Sequence, residues 1–263
     1  MKRLEGKTSV ITGGAGEIGM AAARLFIAEG AQVLLVDKDE GRLAAAVKEM
    51  DPAAVSYCVA DVTEPEQVEG YVQTAVKQFG GIDIFLNNAG IEGPVNAIPF
   101  YEVDDFDKVL AINVRGVFLG MKYVLPVMME KKTGSIVISS SVAGVIGFPG
   151  MVAYMASKHA IIGIMRVAAI EAGPLGIRVN TVNPGPVESR MMSSLETGVD
   201  QLLKTTSPET PMPSAKEILL MNTPTGCYAT AEDVAAMMLF LGSGESRQCN
   251  GGIYMVDGGF TST

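Results

Sequence analysis

A doubly wound α/β fold, with helices on both faces of a parallel sheet of about seven strands, is the architecture this sequence predicts. Three observations predict it. The β-branched run Lys7–Thr12 passes straight into a glycine-rich turn and then into a helical pattern. Further on, short apolar runs alternate with polar-faced helical stretches, which is the pattern of repeated β-α-β units. Finally, 263 residues, 48% of them apolar, suffice for one large core, so residues 1–263 read as a single domain.

The first turn is Thr12-Gly13-Gly14-Ala15-Gly16-Glu17-Ile18-Gly19, followed by a helix to about Glu29. Strand, glycine turn and helix form the context of a dinucleotide-binding fingerprint. Gly13, Gly16 and Gly19 let backbone approach a pyrophosphate, and the helix start at Ile18 points amides at it. Glu17 is out of keeping there. A carboxylate aimed at phosphate would be repelled, so Glu17 is expected to face the adenosine ribose or solvent.

Gln32–Val36 is the second strand, closed by Asp37 eighteen residues after Gly19. An acidic side chain at that place accepts from ribose hydroxyls and repels a 2′-phosphate, so NAD is expected over NADP. Lys38 could reach a 2′-phosphate, but as the first of a Lys-Asp-Glu cluster it reads as solvated. A helix from Asp39 to about Met50 stops at Asp51-Pro52. Val55–Val59 is the third strand, ending at Asp61-Val62, where Asp61 by itself reads as a strand-end turn. Glu64–Phe79 is a helix, and Ile82–Leu86 a strand leading into Asn87-Asn88-Ala89-Gly90. There Asn side chains can tie strand ends together, while Ala89 and Gly90 leave room for a ligand.

One long helix is expected from Val103 to Glu130, bent near Pro126. It contains Asn113, which apolar surroundings make unfavourable unless its amide is used. Ser135–Ser139 is the fifth strand and delivers Ser141, and the apolar loop Val142–Val152 should wall a pocket. Tyr154 opens a helix that Gly173-Pro174 ends. Ile177–Val182 is the sixth strand, followed by Asn183-Pro184-Gly185-Pro186-Val187-Glu188-Ser189. The stretch from Arg190 to Thr225, with Pro208, Pro211, Pro213 and Pro224, reads as irregular, and about 190–227 as a substrate lid. Its Met191, Met192, Leu195, Leu202 and Leu203 would either cover an apolar substrate or form the core of one lid helix. Thr230 caps a helix over Ala231–Leu241, and Gly251–Gly259 supplies the last strand and a tight turn.

The chemistry centres on Tyr154 and Lys158, one helical turn apart on one face. Free tyrosine titrates near ~10, and an ammonium ~6 Å away at an effective dielectric of about 20 favours phenolate by roughly 2–3 kcal/mol. That would draw the phenol toward the working pH of a general acid–base group. Alone, such a pair recurs by chance on many helices. Together with Ser141 thirteen residues upstream and the glycine turn, it resembles the short-chain dehydrogenase/reductase family, in its single-domain branch.

The resemblance implies a Rossmann-type fold and NAD(H)-dependent interconversion of a secondary alcohol and its ketone. Tyr154 would move the proton, Lys158 hold the nicotinamide ribose, Ser141 bond the substrate oxygen, and Asn113 hold a water linking Lys158 to solvent. Asp61 and Val62 would flank the adenine, and Asn88, Ala89 and Gly90 pass close to the cofactor. Pro184, Gly185 and Val187 would hold the carboxamide, and Ser189 the pyrophosphate. The chain departs from the family pattern at Glu17, where a glycine is usual, and at Ser189, where Thr is commoner. The resemblance also implies a homo-oligomer, with a tetramer favoured. Two other readings share parts of the pattern: an NADP-dependent 3-oxoacyl reductase of fatty-acid type, and a dinucleotide-sensing protein without catalysis.

Composition excludes other classes. A formal charge of −9 without a basic cluster argues against nucleic acid. Three scattered cysteines read as reduced thiols in a cytoplasmic protein, and with a single histidine, His159, they offer no metal site. His159 lies a hundred degrees round the helix from Lys158 and reads as a helix residue packed at an interface rather than a base. Residues 1–5 show no apolar leader. The uncharged stretch 134–157 is broken by serines and Phe148-Pro149-Gly150, so no membrane partner is expected.

Overall fold

The computed structural model describes residues 2–206 and 212–262. Its frame is a seven-stranded sheet, parallel throughout, in the order β3-β2-β1-β4-β5-β6-β7. The strands are β1 (Thr8–Thr12), β2 (Gln32–Asp37), β3 (Val55–Val59), β4 (Ile84–Asn87), β5 (Gly134–Ser139), β6 (Ile177–Pro184) and β7 (Ile253–Val256). Between them run α1 (Glu17–Ala28), α2 (Glu40–Lys48), α3 (Pro65–Phe79), α4 (Val103–Leu110), α5 (Gly116–Lys131), α6 (Val152–Ala172), α7 (Arg190–Thr206), α8 (Ala215–Met221) and α9 (Ala231–Gly242).

Strand residues alternate between two cores, as the two-residue period of a strand requires. Val10, Leu34, Phe85 and Ile136 point into one core with Tyr71, Val124, Met128 and Ile161 from α3, α5 and α6. Their neighbours Ile11, Leu35, Ile84 and Val137 point into the other, with Phe26 of α1 and Met238 and Leu241 of α9. Burial on both faces explains why these strands read as unbroken apolar runs. The chain winds outward in both directions from β1 and β4, so the crevice between their C-terminal ends is the switch point where ligands of such sheets bind.

Two expectations are corrected. The single helix over Val103–Glu130 is instead α4 and α5 joined by a π turn, Ala111–Arg115, with Asn113 at its centre. Likewise, the stretch expected to be irregular holds α7 and α8. Its residues 207–211, Pro208 and Pro211 included, lie outside the described residues. The Thr230 cap stands: its Oγ1 accepts from Asp233 N at 3.2 Å while Thr230 N donates to Asp233 Oδ2 at 2.8 Å.

Candidate active site

The ends of β1, β4 and β5 are laced together by side chains. Thr12 Oγ1 accepts from Asn88 N (2.9 Å) and Ala89 N (3.1 Å). Asn88 Nδ2 donates to Thr12 O at 3.1 Å, and its Oδ1 accepts from Ser139 Oγ at 2.8 Å. The expected tie between strand ends is thus made by Asn88, while Asn87 donates to Val117 O at 2.9 Å and anchors α5.

The glycine turn is folded on itself. Gly13 has φ +63°, and a Cβ there would stand 3.0 Å from Ala89 Cα, while a Cβ on Gly19 would meet Gly13 O at 2.4 Å. The helix α1 opens at Gly16 without a side-chain cap, which leaves its first-turn amides and positive dipole end for an anion. These features fit the pyrophosphate of a dinucleotide. Glu17, expected to face the adenosine ribose or solvent, forms an ion pair with Arg190 Nε at 2.7 Å. Asp37 accepts from Ala15 N and Asp39 N, both at 3.2 Å, and so braces the turn as well as closing β2. Arg42 Nη2 donates to Ala15 O. Asp61 folds back on Thr63 N (2.8 Å) and Thr63 Oγ1 (2.7 Å), the strand-end turn. Val62 packs where a Cβ on Gly116 would be, 2.9 Å away.

A cavity of about 170 Å³ opens at the crevice. Ten of the expected residues share it: Ile18, Asn88, Gly90, Ser141, Tyr154, Lys158, Pro184, Gly185, Val187 and Ser189. Ser141 is fixed from both sides, its Oγ donating to Pro184 O (3.3 Å) and accepting from Ala143 N (3.2 Å). Asn183 Nδ2 holds the Ser141 carbonyl at 2.8 Å. Ser189 Oγ is engaged locally, donating to Val187 O at 3.1 Å and accepting from Met192 N at 3.2 Å. His159, outside the cavity, is exposed and bonds Met155 O at 2.9 Å, as a helix residue does.

Lys158 Nζ donates to Ser139 O at 2.8 Å and lies 5.4 Å from the centre of the Tyr154 ring. Burial pushes the Tyr154 phenol up to about 12, against the pull of the Ser141 hydroxyl, and pushes the Lys158 ammonium down to about 8. The expected draw of Tyr154 toward neutrality is therefore corrected. Desolvation outweighs the pull of the Ser141 hydroxyl on Tyr154 and acts alone on Lys158.

Asn113, fully buried, braces rather than lines the cavity. Its Nδ2 donates to Ile91 O (2.8 Å) and Ser157 Oγ (3.0 Å), and its Oδ1 accepts from Ile91 N (2.9 Å). Both amide hydrogens are thereby used, and a water could reach only the second lone pair of Oδ1. Gly90 leaves the gap in which Asn113 Oδ1 and Lys158 Nζ approach, 3.3 and 3.6 Å from where its Cβ would sit. Sequence reasoning misses Ser157, although its place three residues after Tyr154 is the spacing of its bond to Tyr154 O (2.7 Å). Glu196 and Phe260 also line the cavity, and no motif announces either.

The sequence model of a family described as enoyl-(acyl carrier protein) reductase matches residues 13–261. Levodione reductase of Leifsonia aquatica is 40% identical over 98% of this chain and 95% of its own. The chain belongs to the short-chain dehydrogenase/reductase family. The 3-oxoacyl-[acyl-carrier-protein] reductase of Thermotoga maritima is 38% identical over 98% of both chains. A crystal structure of NAD⁺-bound xylitol dehydrogenase superposes with a TM-score of 0.90 at 33% identity, covering 97% of this chain and 99% of that one. These relatives are named as oxidoreductases, and members of the family bind a nicotinamide dinucleotide.

Proposed function

We propose that this protein is an NAD(H)-dependent oxidoreductase that interconverts a secondary alcohol and its ketone. The observation that carries the reading is the meeting of Ser141, Tyr154 and Lys158 in one cavity with Ile18, Gly90 and Val187, the residues that would face the cofactor. Gly13, Gly16, Ile18 and Gly19 would hold the pyrophosphate. Asp37 would take the adenosine ribose, Asp61 and Val62 the adenine, and Ala89 and Gly90 would pass beneath the nicotinamide half. Pro184, Gly185 and Val187 would receive the carboxamide. The bound dinucleotide supplies the hydride donor or acceptor and, when oxidised, positive charge near the phenol.

Ser141, held by Ala143 N, would turn its one proton from Pro184 O to the substrate oxygen as that oxygen gains charge. Tyr154, pushed up to about 12, stands protonated and ready to give its proton to a ketone oxygen. Lys158, close beneath the ring, would stabilise the phenolate left behind. Asn113 keeps Gly90-Ile91 and Ser157 in register around these groups. The acidic Asp37 and Glu17 favour NAD, and the NAD⁺-bound xylitol dehydrogenase supports that choice. The 3-oxoacyl reductase relative supports NADP-dependent acyl reduction as a second reading.

The test is turnover of cyclic, aromatic and hydroxyacyl alcohols with NAD and with NADP. NAD should serve better on the cyclic or aromatic set, and preference for NADP with hydroxyacyl substrates would install the second reading. Tyr154→Phe should lower turnover about 10³-fold, within the range general acid–base catalysis supplies, while NADH still binds by fluorescence. Surviving turnover would remove Tyr154 from its role.

A further inference from the structure

The cavity has two unlike walls. Ser141, Tyr154 and Lys158 stand on one. The other comes from α7 and α8 and is apolar, with Met191, Leu195, Val199 and Ile218 among its side chains. It holds one exception. Glu196 is the only carboxylate among the described residues that line the cavity.

Glu196 is held, but only by one oxygen. Its Oε1 accepts from Tyr228 OH at 2.7 Å, and Oε2 receives no hydrogen bond from the described residues. Tyr228 is buried, with Lys216 Nζ 5.5 Å over its ring, so the phenol is fixed in place. Burial and then the adjoining carboxylate push the Tyr228 phenol up, so Tyr228 keeps its proton and remains a donor. A carboxylate in an apolar wall needs donors on both oxygens. Tyr228 serves one. The other has no donor among the described residues, on a side chain that lines the same cavity as the reacting groups.

We propose that Glu196 determines substrate specificity: its Oε2 accepts a hydrogen bond from a second hydroxyl on a neutral substrate whose remaining surface is apolar. The substrate class is then a compact diol or hydroxyketone, and carboxylated or phosphorylated analogues are repelled. This rests on the alcohol–ketone reading above. The competing role for Glu196 is mechanical, a fastening of α7 to the segment before α9 through Tyr228.

Steady-state kinetics with cyclohexanol and with the 1,2-, 1,3- and 1,4-cyclohexanediols, with NAD and NADP, separates these. At least one diol should exceed cyclohexanol in kcat/KM by about 10-fold or more, expressed in KM, as a hydrogen bond to a charged group warrants. Glu196→Leu should erase that preference, the KM for the favoured diol rising about 10-fold toward that for cyclohexanol. Tyr228→Phe should keep the preference, because the reading oxygen is the other one. Glu196→Gln preserves shape and the Tyr228 contact; it should weaken the preference, and it stands in should the Leu variant not fold. Equal turnover of diols and cyclohexanol by the natural chain overturns the proposal alone. So does an equal loss on both substrates in Glu196→Leu and Tyr228→Phe, which is the mechanical result. Turnover of none of the four beside turnover of the aromatic or hydroxyacyl alcohols also overturns the proposal alone, and turnover of no alcohol in either set with either cofactor removes the alcohol–ketone reading and the proposal with it.

Discussion

At the scale of single residues, the pairing of Tyr154 with Lys158 shows what a sequence does and does not reveal. Four-residue spacing places both on one helix face, and that much is legible because it follows from helix geometry. Their burial is not. It depends on what packs around them, and Tyr154 is packed by Ala143, Met151 and Leu195 of α7, which no motif announces. The consequence is a pH dependence of opposite sign for the two groups. The buried lysine falls from 10.5 to about 8, so between those values the unfolded chain binds the extra proton and stability rises with pH. Tyrosine, raised from 10.0 to about 12, takes stability away over that higher range. Below pH 8 the burial of charged Lys158 costs roughly 3 kcal/mol. Lys158→Met removes that cost and loses a charged-donor bond to Ser139 O worth about 2 kcal/mol. The variant should melt about 2–4 °C higher at pH 7, lose the stability rise between pH 8 and 10.5, and be inactive. A lower melting point would show that Lys158 is not held against desolvation.

At the scale of elements, the π turn is the feature the sequence conceals. Residues 111–115 hold neither glycine nor proline to break a helix, so periodicity alone continues one helix through them. Asn113 is the only hint, and its use becomes visible once Ile91 and Ser157 stand beside it. Asn113→Ala would strand the Ile91 N–H and C=O together in a buried place. We expect a loss of about 2–4 kcal/mol in urea unfolding, with faster amide exchange at Ile91. Unchanged exchange there would mean that the loop is held by something else. The helix α8 was within reach of sequence reasoning, since Ser214-Ala215-Lys216-Glu217 has capping-box spacing and forms one, Ser214 Oγ accepting from Glu217 N at 3.3 Å. The bond from Ala215 N to Asp200 Oδ1 at 2.6 Å, which joins α8 to α7, had no such signal.

At the scale of the molecule, seven parallel strands and the position of the site follow from alternating patterns that both cores enforce, and these are the most legible features of the chain. How many copies assemble is written elsewhere, on outer faces. Phe118 of α5 and Val167 and Ile170 of α6 are 52%, 55% and 77% exposed. A groove beside them is lined by Leu110, Val114, Phe118, Ala160 and Ile164. Apolar surface of this kind is ordinarily covered by another protein surface. We propose that a second copy covers it, within a tetramer. Light scattering during gel filtration should give about four times the 27.6 kDa of one chain, and Phe118→Asp with Ile170→Asp should give smaller species. A natural chain that elutes as a monomer would refute this.

The π turn also sets a phase. It adds one residue to the winding, and a helix advances about 100° per residue. Deleting a residue between 111 and 115 would restore an unbroken spiral with easier backbone geometry, yet it would swing Val103–Leu110 around its axis by that amount. Val109, whose Cγ2 lies 2.6 Å from where a Cβ on Gly93 would be, would leave its seat over the loop that follows Gly90. The irregularity is a spacer, and smoothing it would misalign the parts on either side.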